Sequence, residues 1–337
     1  FIYKKFGLKG CLNMYKLRNI MLINRIRRKY KTIKREKRDN RIFYIIKRDD
    51  PNVGIFSCIL TFLSHLRYAE EKGYIPVIDM MNFDNEYLYE DDIGKKNAWE
   101  FYFQQPAQVS LDIAYSSKKV KMSNGHFKEE YMPSEAFLNS RKADDYMLWK
   151  NLWDKYIHYN SETQKYLEEE YKAIYNQCGG ESILGVLCRG TDYFHYTKAQ
   201  SGDHITEKLN LVIEKVRKTA KERQCKWIFL ATEDKDILQM FIDAFGKSCI
   251  YIDDERLNSK EEKLLGQAWK ENHIDLRKKG LNYILNFYIL SHCKCFVGTR
   301  TSASVFLPIV GNMEYMFFYD LVNIEREIEG EFNEGCC

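Results

Sequence analysis

The sequence ILGVLCR at residues 183–189 decides the fold, because six residues suited to a buried strand end directly in an arginine. Two further stretches also pass from an apolar strand into polar residues, namely WIFLATEDKD at 227–236 and CFVGTRTSASV at 295–305. Apolar residues at helical spacing lie between them, over 205–223, 236–245 and 281–291. Strands that alternate with helices predict a parallel sheet covered by helices on both faces.

The same alternation predicts the rest of the chain. Strands are expected at 41–46, 75–79, 249–252 and 315–318, a helix after the turn at 49–54 that ends at Gly73, and a short helix after Ser302. The predicted organisation is α/β with two Rossmann-like lobes. It comprises a basic arm at 1–40, an N-terminal lobe at 41–145, a helical linker at 146–180, a C-terminal lobe at 181–322 and a solvated acidic tail at 323–337.

Composition indicates an ordinary globular protein long enough for two domains, with 45% hydrophobic and 30% charged residues among 337. Ten cysteines without a CxxC spacing favour a reducing compartment, so we expect a cytoplasmic protein. The sequence contains no run of 18 apolar residues and no secretory signal pattern.

Positive charge is concentrated at one end of the chain. Residues 1–48 hold 17 Lys/Arg against 2 Asp/Glu, or +15, whereas the remainder holds 35 against 46, or −11. A segment of this kind attracts polyanions, and we expect residues 1–40 to contact the anionic inner face of a cell membrane. A nucleic-acid-binding protein is the alternative, but no RNA-binding motif accompanies the arm and the acidic body disfavours nucleic acid.

The strand ends are where chemistry is expected, because ligands of open parallel sheets bind beyond the carboxyl ends of the strands. Arg189 offers a planar fork for diphosphate oxygens, although a local pair with Asp192 is the structural alternative. A turn that is rich in hydroxyl groups follows the third strand, and its backbone N–H groups suit phosphate. Its candidate residues are Thr299, Arg300, Thr301 and Ser302.

Acids follow the second strand, at Glu233 and Asp234. They suit a ribose or a guanine edge, but acids at the start of a helix also complement its dipole. Asp234 and Asp236 further spell DxD, a metal-binding tripeptide of another glycosyltransferase architecture. The amphipathic helix that starts at once disfavours this metal site, and we expect no metal.

Together these motifs resemble the fucosyltransferases related to the α1,6- and α1,2-enzymes and the Nod-factor enzymes. The resemblance covers residues 180–310 and rests on strand-Arg-x-x-Asp, FLATEDKD and CFVGTRTSASV. Residues 52–57 and NAWE at 97–100 are similar to the bacterial capsule-biosynthesis members. The resemblance implies a GT-B fold with a cleft between two lobes, GDP-fucose in the C-terminal lobe, no metal requirement and inversion at the sugar.

The resemblance also assigns roles residue by residue. It implies that Arg189 is the family's indispensable arginine, Asp192 its motif aspartate, Thr301 and Ser302 its phosphate-site hydroxyls, Glu233 and Asp234 its nucleoside-site acids, and Asn286 the counterpart of a helical aspartate. This sequence departs from the family's pattern at two places. The usual His-x-Arg-Arg-x-Asp has Leu187 and Gly190 around Arg189, and the glutamate proposed as base in the α1,6 branch aligns near Thr197.

The general base therefore has several candidates. His195, Asp203 and His204 lie in the loop after Arg189 and carry the required chemistry. The predicted activity is fucosyl transfer from GDP-fucose to a glycan acceptor in surface or capsular polysaccharide synthesis. The alternatives are a GT-B transferase with another nucleotide sugar, because phosphate motifs do not identify the hexose, and a nucleic-acid- or membrane-binding protein acting through the basic arm.

Overall fold

A computed structural model describes residues 17–30, 41–48, 50, 52–126, 128–134, 145–190, 205–257, 265–321 and 323–334. The chain divides into two compact units, Phe1–Thr163 and Gln164–Cys337. Each unit is built on a parallel sheet, of three strands in the first and five in the second, so the predicted α/β class is confirmed.

The first unit is a three-stranded sheet with helices packed against it. Strands β1 (Phe43–Ile46), β2 (Ile75–Ile78) and β3 (Val120–Met122) lie in the order β2-β1-β3. The helices are α1 (17–27), α2 (Ile55–Glu71), α3 (Leu111–Ser116) and α4 (Tyr146–Tyr156). Short 3-10 turns at Arg28–Tyr30, Glu90–Asp92, Ala98–Phe101 and Glu129–Tyr131 complete this unit.

The end of α2 confirms the predicted stop at Gly73. Gly73 has a φ of 63° and its N–H donates to the carbonyl of Glu70 at 3.1 Å. The N–H of Tyr74 donates to the carbonyl of Ala69 at 2.8 Å. These two bonds form the left-handed glycine cap that satisfies the last carbonyl groups of a helix and turns the chain towards the next strand.

Helix α1 corrects the predicted basic arm. Ile23 and Ile26 are buried in the same core cluster as Phe43 and Ile45 of β1. Residues 17–27 therefore form a helix packed on the first sheet, whereas the sequence predicts residues 1–40 as an arm outside the first lobe. The physical reason is that two isoleucines at i, i+3 spacing supply an apolar stripe within an otherwise basic segment.

The second unit carries the strands on which the predicted site depends. Strands β4 (Ile183–Leu187), β5 (Trp227–Ala231), β6 (Cys249–Ile250), β7 (Cys295–Thr299) and β8 (Tyr315–Tyr319) lie in the order β6-β5-β4-β7-β8. Its helices are α5 (Ser161–Gln177), which begins at the end of the first unit, α6 (Ile205–Glu222), α7 (Lys235–Phe245), α8 (Leu265–Glu271), α9 (Leu276–Ser291), α10 (Leu307–Val310) and α11 (Ile324–Glu334). Short 3-10 turns lie at Gly246–Ser248 and Ser304–Phe306.

Alternation along the strands assigns these helices to the two faces of the sheet. Leu184 and Val186 share a core cluster with apolar residues of α6, α7 and α11. Gly185 points to the other face, where an added Cβ would lie 2.9 Å from Leu290 of α9. The sheet is therefore covered on both faces, as the run of apolar residues in β4 predicts.

Helix α11 corrects the prediction of a solvated acidic tail. Ile324 is fully buried in the core cluster of the second unit, and Ile328 packs against the same cluster. Because these residues are one helical turn apart, they give an acidic segment one apolar stripe that packs on the core.

Candidate functional site

The site is organised around the ends of β4 and β7. These strands are neighbours, although β5 and β6 continue the sheet from β4 in one direction and β8 continues it from β7 in the other. The direction of winding therefore reverses between β4 and β7. In open α/β sheets this switch point is where loops from adjacent strands diverge and leave a crevice for a ligand.

Arg189 and Thr299 meet at this switch point. The backbone N–H of Arg189 donates to Oγ1 of Thr299 at 3.2 Å. The Thr299 hydroxyl in turn donates to the carbonyl of Leu187, also at 3.2 Å. A single buried hydroxyl thus ties the first residues beyond β4 to the last residue of β7, which fixes the backbone from which the Arg189 side chain extends.

Glu233, at the end of β5, is the charge partner of Arg189. Its Oε1 lies 3.1 Å from Nε of Arg189 and accepts the N–H of Gly190 at 2.9 Å. The side chains are 16% and 13% exposed, so water screens the pair only partly. The carboxylate therefore lies at the Nε edge of the guanidinium, on the side of β5, and compensates its charge.

Asp234 has a different role from its neighbour. It is fully buried, and its Oδ1 accepts the N–H groups of Asp236 at 2.8 Å and Ile237 at 3.1 Å. It is therefore the N-cap of α7. Gly190 packs directly against this cap, because a Cβ at Gly190 would lie 2.5 Å from Oδ2 of Asp234.

The turn after β7 is stabilised by its own hydroxyl groups. The N–H of Thr301 donates to Oγ of Ser304 at 2.8 Å, and the N–H of Ser304 donates to Oγ1 of Thr301 at 3.1 Å. These reciprocal bonds use the Thr301 N–H, one of the donors that the sequence assigned to phosphate. Ser302 is half-buried at the tip of this turn.

Arg300 points away from this turn. Its guanidinium forms an ion pair with Glu327 of α11. The backbone N–H of Arg300 donates to the carbonyl of Tyr319 at 3.0 Å. Arg300 is therefore directed to β8 and α11, whereas the Thr299 hydroxyl faces the switch point and that of Thr301 contacts Ser304 in its own turn. The structure therefore does not bring the Arg300 guanidinium together with Arg189.

Two buried groups below the site stay uncharged. Burial raises the pKa of the Cys188 thiol to about 12 and raises the pKa of Tyr319 well above its ordinary value. The Tyr319 hydroxyl lies 3.5 Å from the carbonyl of Leu187, on the strand that leads to Arg189. These groups support the strand end sterically and leave the charge of the site to Arg189 and Glu233.

A second polar cluster lies beyond β6, and the sequence analysis did not identify it. The carboxylate of Asp254 accepts hydrogen bonds from two residues of α9, namely from Nζ of Lys279 at 2.7 Å and from Nδ2 of Asn282 at 2.8 Å. Arg256 donates from Nε to the carbonyl of Thr232 at 3.2 Å, next to Glu233. The spacing of Lys279 and Asn282 at i, i+3 was the available signal, but the helix was predicted to begin only at 281.

Asn286 continues that face of α9 one turn further. It is half-buried, and among the described residues its Oδ1 has no hydrogen-bond donor although the atom is inaccessible to solvent.

The remaining candidates, Asp192, His195, Asp203 and His204, lie outside the described residues. Among the helices of the described residues, none combines the length and the apolar character that a membrane span requires.

The structure is similar to those of solved fucosyltransferases. NodZ α-1,6-fucosyltransferase co-crystallised with GDP has a TM-score of 0.47 and 15% identity, over 81% of this chain and 93% of that chain. POFUT1 in complex with GDP-fucose has a TM-score of 0.46 and 10% identity, over 84% and 99%. Fucosyltransferase NodZ from Bradyrhizobium has a TM-score of 0.45 and 13% identity, over 81% and 94%. No family model matches the chain, and none of the curated proteins is a detectable relative.

Proposed function

We propose that this protein is a glycosyltransferase that moves fucose from GDP-fucose to a glycan hydroxyl with inversion at the sugar. The observation that supports it best is the meeting of Arg189 and Thr299 at the switch point of the second sheet, with Glu233 beside them. A fixed arginine at this point matches the charge of a nucleoside diphosphate and lies where α/β sheets bind such ligands.

The proposed chemistry depends on the leaving group. As the bond from the sugar to the diphosphate breaks, negative charge grows on the β-phosphate. A guanidinium that is already oriented stabilises this charge more in the transition state than in the ground state, and that difference lowers the barrier. Glu233 contributes by holding the Nε edge, since a guanidinium held in one plane loses less freedom when it binds phosphate.

Fucose as the transferred sugar rests on the sequence motifs around this site. ILGVLCRGTD, FLATEDKD and CFVGTRTSASV resemble the donor motifs of GDP-fucose enzymes, and they end the three neighbouring strands β4, β5 and β7. We propose that Thr301 and Ser302 contact the donor phosphates from the turn after β7, and that Glu233 and Asn286 lie on the nucleoside side.

Inversion requires an acceptor hydroxyl to attack the anomeric carbon as GDP leaves, with a base to take its proton. His195, Asp203 and His204 follow Arg189 within 15 residues in the chain, and we propose that one of them is this base. The first unit is proposed to bind the acceptor glycan, in a pathway of surface polysaccharide assembly. Diphosphate charge is neutralised by Arg189 in this scheme, so no metal is required.

A donor panel tests the proposal. GDP, UDP and ADP are titrated into the protein by calorimetry, and GDP-fucose, GDP-mannose and UDP-glucose are assayed for slow release of free sugar. The expected result is binding of GDP alone and release of fucose alone. Binding of UDP together with hydrolysis of UDP-glucose would instead assign another nucleotide sugar.

The matched control for this panel is Arg217→Ala. Arg217 is an arginine of the same unit, on the exposed surface of α6, where it pairs with Glu214. Arg217→Ala should bind GDP as the wild type does, whereas Arg189→Ala should not. Equal loss in both variants would mean that GDP binding reflects net charge rather than the proposed site.

A further inference from the structure

Helix α1 has one face that anchors it to the first unit. Ile23 and Ile26 are 6% and 2% exposed within the core of that unit. Nε of Arg27 donates to the carbonyl of Tyr115 at 3.0 Å, and the same guanidinium contacts the carbonyl of Ser117. These contacts fix the rotation of the helix about its own axis, so the side chains on its opposite face point outwards.

The outward face of α1 is apolar. Leu17, Ile20 and Met21 are 59%, 53% and 66% exposed. Their i, i+3, i+4 spacing places them together on one face. They are three of the eight large hydrophobic side chains that are exposed among the described residues, so exposed apolar area is concentrated on this one helix.

Arginines border this apolar face. Arg18, Arg25 and Arg28 are all exposed. At 100° per residue, Arg18 and Arg25 lie along one edge of this face, and Arg28 follows in the 3-10 turn at the end of α1. The first 48 residues, to which this helix belongs, carry a formal charge of +15 and the remainder −11, so an anionic surface attracts this segment of the sequence.

We propose that the surface made by Leu17, Ile20 and Met21 of α1, with Arg18, Arg25 and the adjoining Arg28, docks the protein on an anionic lipid surface. Apolar side chains flanked by arginine suit the boundary between headgroups and acyl chains, where both kinds of group are satisfied at once. A nucleic acid offers phosphates but little for three exposed apolar side chains. A second copy of the chain would bring two arginine-rich faces together, which like-charge repulsion opposes.

Vesicle flotation with the full chain tests the proposal. The probes are phosphatidylcholine vesicles with and without phosphatidylglycerol. The wild type should float only with the anionic vesicles. Arg18→Gln/Arg25→Gln/Arg28→Gln should weaken this binding about a hundredfold, from about 1 kcal/mol for each basic residue. Leu17→Gln/Ile20→Gln/Met21→Gln keeps the charge and should weaken it on the order of tenfold or more.

Met147→Gln is the matched control, because Met147 is 57% exposed on a helix of the same unit. Its vesicle binding should equal that of the wild type. Glutamine is a good helix former, so each variant should keep the wild-type circular dichroism and melting temperature. The measurement needs no turnover, and its result is therefore independent of the proposed transfer activity.

Three outcomes would overturn the proposal. The first is a wild type that does not float with anionic vesicles. The second is an apolar triple variant that binds vesicles normally, while the arginine variant loses both vesicle and RNA binding, which would assign a general polyanion surface. The third is a dimer in size-exclusion chromatography that the apolar triple variant converts to a monomer, which would assign a second copy to this face.

Discussion

Replacement of Arg189 by alanine removes the cation of the proposed donor site and also leaves Glu233 without its charge partner. The first effect should lower the rate of transfer or donor hydrolysis by about 100- to 1000-fold, equivalent to about 3–4 kcal/mol of transition-state stabilisation. GDP affinity should fall roughly 10- to 100-fold, because the product carries the same phosphates and loses a charged hydrogen-bonding group. Arg189→Lys keeps the charge without the fork and should recover only part of both.

The second effect is on stability. Glu233 is 13% exposed and loses the charge that lies 3.1 Å from its Oε1 when the guanidinium is removed, while the Gly190 N–H at 2.9 Å stays in place. The loss should be about 2 kcal/mol, below that of a fully buried pair because water reaches part of both side chains. Glu233→Gln in the same chain retains the acceptor for Gly190 without the charge. The double variant should therefore regain most of the stability.

The two effects are separated by calorimetric GDP titration and urea unfolding of four proteins. These are the wild type, Arg189→Ala, Glu233→Gln and the double variant Arg189→Ala/Glu233→Gln. The expected pattern is that Arg189→Ala/Glu233→Gln is nearly as stable as the wild type yet still binds GDP weakly. If the double variant also regained wild-type GDP affinity and turnover, Arg189 would serve only to neutralise Glu233. Normal GDP affinity and turnover in Arg189→Ala alone would equally refute the reasoning.

Three further predictions concern the surroundings of the site, the first unit and the metal. Gly190→Ala forces a Cβ to within 2.5 Å of the Asp234 carboxylate and should lower the free energy of unfolding by roughly 1–3 kcal/mol. The control Gly330→Ala, where a Cβ has no atom within 4 Å, should not lower it. Equal urea midpoints for the two variants would contradict the predicted clash. Burial lowers the pKa of His65 from 6.5 to about 4, so the unfolded chain binds this proton at a higher pH than the folded chain does. The free energy of unfolding should therefore fall, by up to about 3 kcal/mol, as pH drops from 6.5 towards 4. His65→Phe should flatten that pH profile of urea unfolding, and parallel profiles would exclude the assignment. EDTA should leave donor hydrolysis nearly intact, and activity that is lost in EDTA and restored by manganese would favour the DxD site.

The sequence predicted seven of the eight described strands because their signal is local, whereas β3 (Val120–Met122) lies in a stretch without clear periodicity and was not predicted. β5 spans Trp227–Ala231 as expected, since a run of apolar residues bounded by polar ones needs no tertiary information. The start of α9 was placed too late, at 281 instead of Leu276. The first turn of α9 carries no apolar stripe that would reveal it. Its start is marked instead by the N-cap Asp275, whose side chain accepts the N–H of Lys278 at 3.0 Å.

The site was predictable to the level of strand ends and no further. The rule that parallel strands meet at their carboxyl ends anticipates that Arg189, Glu233 and Thr299 approach one another. It does not distinguish Glu233, which faces Arg189, from Asp234, which caps α7. That distinction depends on the rotation of a single turn. For Arg300 the alternation of side chains along β7 was an available signal, but its partner Glu327 lies in a segment expected to be solvated.

The bond between Arg189 and Thr299 joins residues 110 positions apart in the chain. Pairing of β4 with β5 needs far shorter loop closure than pairing of β4 with β7, so we expect the β4–β5–β6 half of the sheet to gain order first during folding. The crevice at the switch point then exists only after β7 has docked on the other side of β4. A ribosome-bound chain that ends before residue 295 would therefore contain Arg189 and Glu233 but not the complete proposed donor site, so GDP binding is expected only after the second unit is complete.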